Sequence, residues 1–447
     1  MAAWLVVALV VDPARDAILL EAAHPGAVRL PSLELETTEG LVAAAIAAIG
    51  KRLVGEPVVP VRLWLHETED DDAGSIIVLT EPVASVRDRP HVSLDDLRAS
   101  IETQTLEPAE ARDAVGAWLG ALDSTPDART PPWTMTGWFA RASRWVGEEL
   151  ARAGHPPTEP TRFEYLSALG AILRARSGDR SFFLKCSAPY FRAEPRIVAA
   201  LARRTPNLVP EVIAIEPDEG WLLMGDVGSR ILGRQPEATW PEAMPRIAAL
   251  QRAWAGHTDE LVAAGAQVRP LGALADAIPG FLDRQGLGGR LEPTARARWL
   301  DALPGLVDAC RRLEAIGLPD ALIHGDLHPW NVALDDDGLR VFDWSDGAVG
   351  PSFVDLPVFI TRAKDPEVRV RIREAYLDGW ADGLDRRRLE SAADLAMTVG
   401  ALYQVETYLG LVPGLEPLDG RTFASSDARW LQRAVDAWST SPAVDAA

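Results

Sequence analysis

Cysteine is nearly absent from this 447-residue chain: only Cys186 and Cys310 occur, which excludes a disulfide framework, and the lack of clustered Cys/His spacing argues against a structural zinc site. Lysine is almost as scarce, at positions 51, 185 and 364 alone, although arginine is plentiful. Basic charge is in deficit overall, with a formal net charge of −20. Such a balance argues against a broad nucleic-acid surface, which needs clustered Lys and Arg against phosphates. No apolar run approaches the ~18 residues of a membrane helix. The start, MAAWLVVALVV, is apolar but has no basic flank and ends at Asp12-Pro13, unlike a secretory signal. A cytoplasmic chain without membrane or nucleic-acid partners is expected.

What is present is ordinary globular composition, 47% hydrophobic and 25% charged, over a length that implies two or three folding units. Residues 4–11 and 17–20 predict a hairpin around Asp12–Asp16. An Ala-rich helix from Thr38 to Leu53 follows, with Thr37 or Thr38 as its cap, and then β-rich runs at Val58–Leu65 and Ser75–Leu79. The acidic Glu67–Asp72 between those runs reads as a solvated loop. This order of elements in residues 1–120 resembles the Nudix fold, but the Glu-rich Nudix box is missing, which implies a catalytically inactive copy. The Ser/Thr/Asp/Pro-rich DSTPDARTPPW marks a linker, placed at 121–137. Trp138, Phe139, Ala142, Trp145, Val146 and Leu150 then fall at helical spacing. Strand-like runs occupy 164–186, and helical patterns dominate from 237 onward, among them the stripe Leu300, Leu303, Leu306, Val307, Cys310 and Leu313.

The most informative segment is Ala321–Leu356, ALIHGDLHPWNVALDDDGLRVFDWSDGAVGPSFVDL. Val332–Leu334 and Leu339–Phe342 flank Asp335-Asp336-Asp337-Gly338, predicting a hairpin with a three-residue loop at 336–338 and Gly338 in the left-handed region. That register sets Asn331 directly opposite Asp343, with Cβ atoms about 5 Å apart on one face. A carboxylate and a carboxamide oxygen so placed can share a hard cation such as Mg²⁺. Upstream, Asp326 stands in a Gly/Pro-containing loop where a carboxylate can face a hydroxyl. A base beside a metal pair is what phosphoryl transfer requires.

His324-Gly325-Asp326-Leu327-His328-Pro329-Trp330-Asn331 fits H-x-D-x-x-x-x-N, followed by Asp343-Trp344, Gly350 and Asp355-Leu356. The segment resembles the aminoglycoside phosphotransferase family, a small-molecule branch of the protein-kinase-like fold. The resemblance implies an α+β, two-lobed domain with an N-lobe at 138–230 and a helical C-lobe at 231–447, preceded by the small α/β unit. It implies Asp326 as catalytic base, Asn331 and Asp343 as Mg²⁺ ligands, His324 as a structural residue and Asp355 as a brace for the loop. Lys185, ending Ser181-Phe182-Phe183-Leu184, would bind the α- and β-phosphates of ATP, with Glu194 to orient it. Ser167, Ala168 and Gly170, within Phe163–Arg176, would belong to the phosphate-covering hairpin. Met224, Asp226 and Val227, in Gly220–Val227, would form the hinge that holds adenine.

Glycine at 325, where regulated protein kinases carry arginine, and the lack of an A-P-E stretch disfavour a protein substrate. Trp330 either stacks on a sugar face or fills the lobe. Asp346, unless it helps complete the metal site, and Glu374 lean towards a cationic acceptor among small hydroxylated molecules such as aminoglycosides, amino sugars and amino alcohols. The rival reading is a nucleotide-binding pseudokinase or interaction module; Lys185, Asp326, Asn331 and Asp343 are all present against it.

Overall fold

A computed structural model describes residues 4–12, 17–21, 27–36, 41–54, 58–67, 74–82, 90–122, 128–135, 137–335, 338–381, 384–416, 423 and 425–440. The turn at 13–16, the cap candidates Thr37 and Thr38, most of the acidic Glu67–Asp72 stretch, part of the linker and the loop residues Asp336 and Asp337 lie outside them. The chain divides into two compact units, 1–189 and 190–447.

In the first unit the apolar N-terminal run becomes the strand Trp4–Asp12, at the centre of a mixed sheet. It pairs antiparallel with Ala17–Leu19, as the hairpin expectation required, and parallel with Gly74–Pro82. Val58–Glu67, Ser32–Leu35 and His91–Ser93 complete the sheet. Alternation then explains why the run is apolar throughout. Val6, Ala8, Val10, Ile76 and Val78 pack with Ala45, Ile49 and Val54, while Val7, Leu9, Ile77 and Leu79 pack with Leu97, Val115 and Trp118. A strand buried on both faces needs hydrophobic residues at every position, not every second one. The Ala-rich helix is described from Leu41 to Ala48 and continues as a wider turn at Ile49–Val54.

The same unit holds the helix Trp138–Arg152, whose Trp138, Ala142, Val146 and Leu150 are buried as the spacing predicts. An antiparallel set follows: Arg162–Leu166, Gly170–Ser177 and Arg180–Ser187. At Gly170 a Cβ would stand 3.0 Å from the Cys186 carbonyl oxygen, so a side chain there would press on the neighbouring strand's backbone.

The second unit opens with the helix Glu194–Arg204 and the hairpin Val212–Glu216/Trp221–Gly225. Helices dominate thereafter: Met244–Arg252, Pro293–Ile316, Pro366–Trp380, Arg386–Gly414 and Ser426–Ser439. Asp365 and Asp385 start two of them by accepting the Glu367 and Arg388 backbone N–H groups. The long Arg386–Gly414 is buried along most of its length, so helices pack on several sides of it. Against this frame lie two short β elements, Ala321–Ile323 with Ala348–Gly350 and the hairpin Val332–Asp335/Gly338–Val341. Among the described residues no helix is long and apolar enough to cross a membrane. The mixed helix-and-strand class expected from the sequence is the one observed.

Candidate active site

The hairpin register departs from expectation. Asp335 pairs with Gly338 and Val332 with Val341, so two residues, not three, separate the strands. Every pairing therefore slips by one, and Asn331 faces Phe342, whose N–H donates to the Asn331 carbonyl at 3.0 Å. Asp343 is thus not the cross-strand partner of Asn331. It lies beyond the strand end, where its φ of 66° turns the chain out of the ladder. A non-glycine residue in the left-handed region is uncommon, and aspartate is among the side chains that tolerate it.

The loop from His324 to Asn331 is fixed from within. Asp355 is buried and accepts from the backbone N–H of His324 at 2.7 Å and of Gly325 at 2.9 Å. Gln251, itself buried, donates to the same carboxylate at 2.9 Å and accepts from the Tyr376 hydroxyl at 2.7 Å. Gln404 donates to the Gly325 carbonyl at 2.6 Å. Burial pushes the Asp355 carboxyl up to about 7, against the three donors that favour its anion. The bracing role expected of Asp355 is what the contacts display. Gln251, Gln404 and Tyr376 escaped the sequence reading because each lies in a helix about 50 or more residues from the loop and bears no motif.

His324 is 1% exposed, with its ring 4.5 Å from that of Trp344. Its Nε2 lies 3.0 Å from the Phe342 carbonyl oxygen, an acceptor only, so Nε2 carries the proton and Nδ1 accepts the Asp326 N–H at 3.3 Å. Burial lowers its pKa to about 4 and keeps the ring neutral. Gly325 has φ 85°, and a Cβ there would fall 2.5 Å from the Asp346 Cβ and 2.6 Å from its carbonyl oxygen. Only glycine fits.

At the loop's tip the Asp326 side chain is 46% exposed, with the His328 Nε2 3.5 Å from Oδ2. Burial works to raise its pKa, but the His328 contact and the nearby imidazoles outweigh it, and the carboxyl stays ionised more readily than usual. Asn331 donates from Nδ2 to the Asp326 carbonyl at 3.1 Å, which leaves its carboxamide oxygen as the ligand atom for a cation. Asp343 Oδ1 is 3.1 Å from the Ser345 hydroxyl, and that hydroxyl is 3.0 Å from the buried Glu194 carboxylate. Glu194 is therefore joined to the Asp343 segment through Ser345, a residue no spacing rule singled out. Asp343 and Asn331 offer hard oxygens of the kind Mg²⁺ prefers. Among the described residues no group of three or more His, Cys, Asp or Glu side chains could hold a metal ion, so a cation at these two oxygens would need further ligands.

Met224 is buried like the rest of Trp221–Gly225, Asp226 is exposed with Oδ1 accepting from the Gly228 N–H at 2.9 Å, and Val227 is half-buried. Lys185 belongs to the first unit, on Arg180–Ser187 opposite Ile172, and is 9% exposed. Trp330 is 44% exposed yet meets Trp240 and His328 edge-on, each at 6.0 Å, and its ring occupies the space where a Cβ on Gly233 would sit. Ser345 and Asp346 help line a cleft of about 380 Å³ with Tyr190, Arg269 and Glu406; Asp326 and Asn331 do not line it. Glu374 pairs with Arg386 and Arg373, which compensates the charge expected to favour a cationic acceptor.

The sequence model of the phosphotransferase enzyme family (APH) matches residues 171–389, just under half of the chain. The resemblance read from the His324–Asn331 segment is borne out over that region, while the Nudix-like likeness of the N-terminal region is not confirmed. Similar solved structures include a macrolide 2′-phosphotransferase from Brachybacterium faecium, at 20% identity and TM-score 0.45 over 63% of this chain and 97% of that one. A choline/ethanolamine kinase family protein from Mesorhizobium loti aligns at 18% identity and TM-score 0.47, over 67% of this chain and 98% of its own. For a choline kinase from Streptococcus pneumoniae the values are 13% identity and TM-score 0.43, over 67% and 99%. No curated protein matches the chain.

Proposed function

We propose that this chain is a kinase that moves the γ-phosphoryl group of ATP to a hydroxyl of a small molecule. The observation that carries the reading is the loop from His324 to Asn331, held by buried Asp355, Gln251 and Gln404, with the half-exposed carboxylate of Asp326 at its tip. Rigid placement of a base is the part of such a reaction a protein can supply, since phosphoryl transfer is mostly positioning and charge stabilisation.

In the proposed step Asp326 orients the acceptor hydroxyl and takes its proton as the oxygen–phosphorus bond forms. The bond from phosphorus to the bridging oxygen breaks, and its electron pair leaves with ADP. His324 cannot serve as that base: it is buried, and its one free lone pair already accepts the Asp326 N–H. Asn331 and Asp343 would hold Mg²⁺, which when bound neutralises charge on the phosphate oxygens. Ser345 keeps the Asp343 carboxylate oriented. By the family resemblance Lys185 takes the α- and β-phosphates, Glu194 orients Lys185, and Met224, Asp226 and Val227 line the adenine pocket.

The test is transfer of labelled γ-phosphate from Mg·ATP to a panel of hydroxylated acceptors. Asp326→Asn is expected to lower turnover by roughly 10²–10⁴-fold with Mg·ATP binding intact, the usual loss when a positioned base is removed. Wild-type turnover in that variant overturns the assignment. Asp343→Ala is expected instead to abolish Mg²⁺-dependent nucleotide binding, and unchanged affinity would remove it from the metal site.

A further inference from the structure

Trp330 is the one exposed aromatic side chain among the described residues of the second unit, at 44%. It stands inside the loop that carries the base. The His328 carbonyl accepts the Asn331 N–H at 2.9 Å, which folds Pro329–Asn331 into a short helical turn. The Asn331 side chain returns to the Asp326 carbonyl at 3.1 Å. The two ends of the segment from Asp326 to Asn331 are therefore tied together, with Trp330 on the turn between them. His328 links the aromatic ring to the base: its Nε2 lies 3.5 Å from the Asp326 carboxylate, and its ring meets that of Trp330 edge-on at 6.0 Å.

The indole is firmly seated. A Cβ on Gly233 would fall 2.5 Å from the Trp330 Cδ2 and 2.7 Å from its Cε2 and Cγ. Cδ2 is bonded to three other ring atoms, so only a face of the indole gives access to it. The Gly233 backbone covers that face, and the missing side chain leaves room for the ring. Trp240, 2% exposed, braces it from a second side at 6.0 Å. The Gly233 segment is itself held to the hairpin: Ile231 bridges Ala333, and the Leu334 N–H donates to the Arg230 carbonyl at 3.0 Å. What Trp330 exposes therefore belongs to its opposite face and its rim. Its indole N–H makes no hydrogen bond among the described residues. A lone exposed hydrophobic residue is ordinary on a protein surface; a rigidly held one beside the base, with an unused donor, is a surface for a ligand.

We propose that Trp330 sets acceptor specificity: its open face covers the C–H face of a saturated polyhydroxylated ring, a pyranose or cyclitol, and its Nε1–H donates to a ring hydroxyl. Another hydroxyl of that ring then lies at Asp326. The inference rests on the kinase reading and names the acceptor class within it. A quaternary ammonium, the other common ligand of an aromatic face, fits this site less well. Such cations are held in cages of several aromatic faces, and among the described residues of this unit no second aromatic is exposed. They also offer no acceptor to the indole N–H.

Phosphate transfer should be compared within pairs that differ in ring closure: glucose and sorbitol, glucosamine and its alditol, myo-inositol and mannitol, with choline as the cationic arm. Transfer to one or more ring members, at a KM below that of the open-chain counterpart, is expected. Trp330→Ala should raise the KM for that acceptor roughly 10-fold, the loss of one stacked face, and leave the KM for Mg·ATP unchanged. Trp330→Phe should recover part of the loss and Trp330→Leu none of it, whereas for a packing role alone leucine would serve as well. Gly233→Ala displaces the indole without removing it, and the same rise in acceptor KM is expected. Transfer only to choline or open-chain members, transfer to no ring member, or an acceptor KM unmoved in Trp330→Ala or Gly233→Ala overturns the inference. A KM for Mg·ATP that rises as far as the acceptor's does so too, because Trp330 would then only be holding the loop. The kinase reading fails separately, through loss of Mg·ATP binding or an inert Asp326→Asn substitution.

Discussion

His324→Phe separates the packing of the Asp326 loop from its protonation. The wild-type ring makes two hydrogen bonds, to the Phe342 carbonyl and from the Asp326 N–H, and stacks beside Trp344. Phenylalanine keeps the ring but leaves two buried polar groups without partners, which costs about 2–4 kcal/mol at neutral pH. Acidification then changes the difference. An unfolded histidine takes up its proton near 6.5, whereas the buried one resists until about 4. Below 6.5 the unfolded state binds more protons than the native one, so the wild type loses stability as pH falls. At about 1.4 kcal/mol per pH unit the loss reaches about 3 kcal/mol by pH 4. Phenylalanine cannot titrate, so the deficit of the variant should shrink by that amount. Asp355 works in the opposite sense. Its carboxyl, raised from 3.8 to about 7, costs stability as pH climbs through the same window, so the wild-type curve alone conceals both effects. Urea unfolding of wild type and variant at half-unit steps from pH 4 to 7.5 gives the difference curve. A deficit independent of pH would refute the buried, neutral histidine and with it the assignment of Nε2–H to Phe342.

Other consequences are as direct. Asp355→Asn should gain about 3 kcal/mol relative to wild type between pH 4 and 7, because only wild type must keep a proton on the buried carboxyl as pH rises; a variant that instead loses ground with rising pH would show that the three donors outweigh burial. Gly325→Ala forces a side chain into the Asp346 backbone at a left-handed φ, and a loss of about 2–4 kcal/mol in unfolding free energy is expected, with turnover falling further than stability. Ser345→Ala removes one hydroxyl that touches both Asp343 and Glu194; Mg·ATP affinity should weaken roughly 3–10-fold in a titration, while unchanged affinity would make the bridge incidental.

The loop that holds the candidate base was readable because its chemistry is local: Asp326 and Asn331 lie five residues apart, and Asp343 twelve beyond. Hairpin register was not. It turned on whether Gly338 belonged to the loop or the strand, and Gly338 pairs with Asp335 inside the ladder. The supports of the loop come from far along the chain, Gln251 from one helix and Gln404 from another, and a lone glutamine in an amphipathic pattern carries no signal of what it will meet. In the N-terminal region the apolar run was legible as a strand, but its place at the centre of the sheet depends on pairing with residues 74–80.

That pairing has a cost during synthesis. The strand Trp4–Asp12 is synthesised well before Gly74–Pro82, which closes one of its sides, so Trp4 waits for Gly74 and Val10 for Thr80. At roughly 5–20 residues per second, translation leaves this apolar segment without its parallel partner for several seconds. Nascent chains stalled before and after residue 82 should differ sharply in binding a hydrophobic dye, and equal binding would mean the strand finds cover earlier. The same nine residues that give the finished sheet its dry centre are, for those seconds, a segment in need of a chaperone.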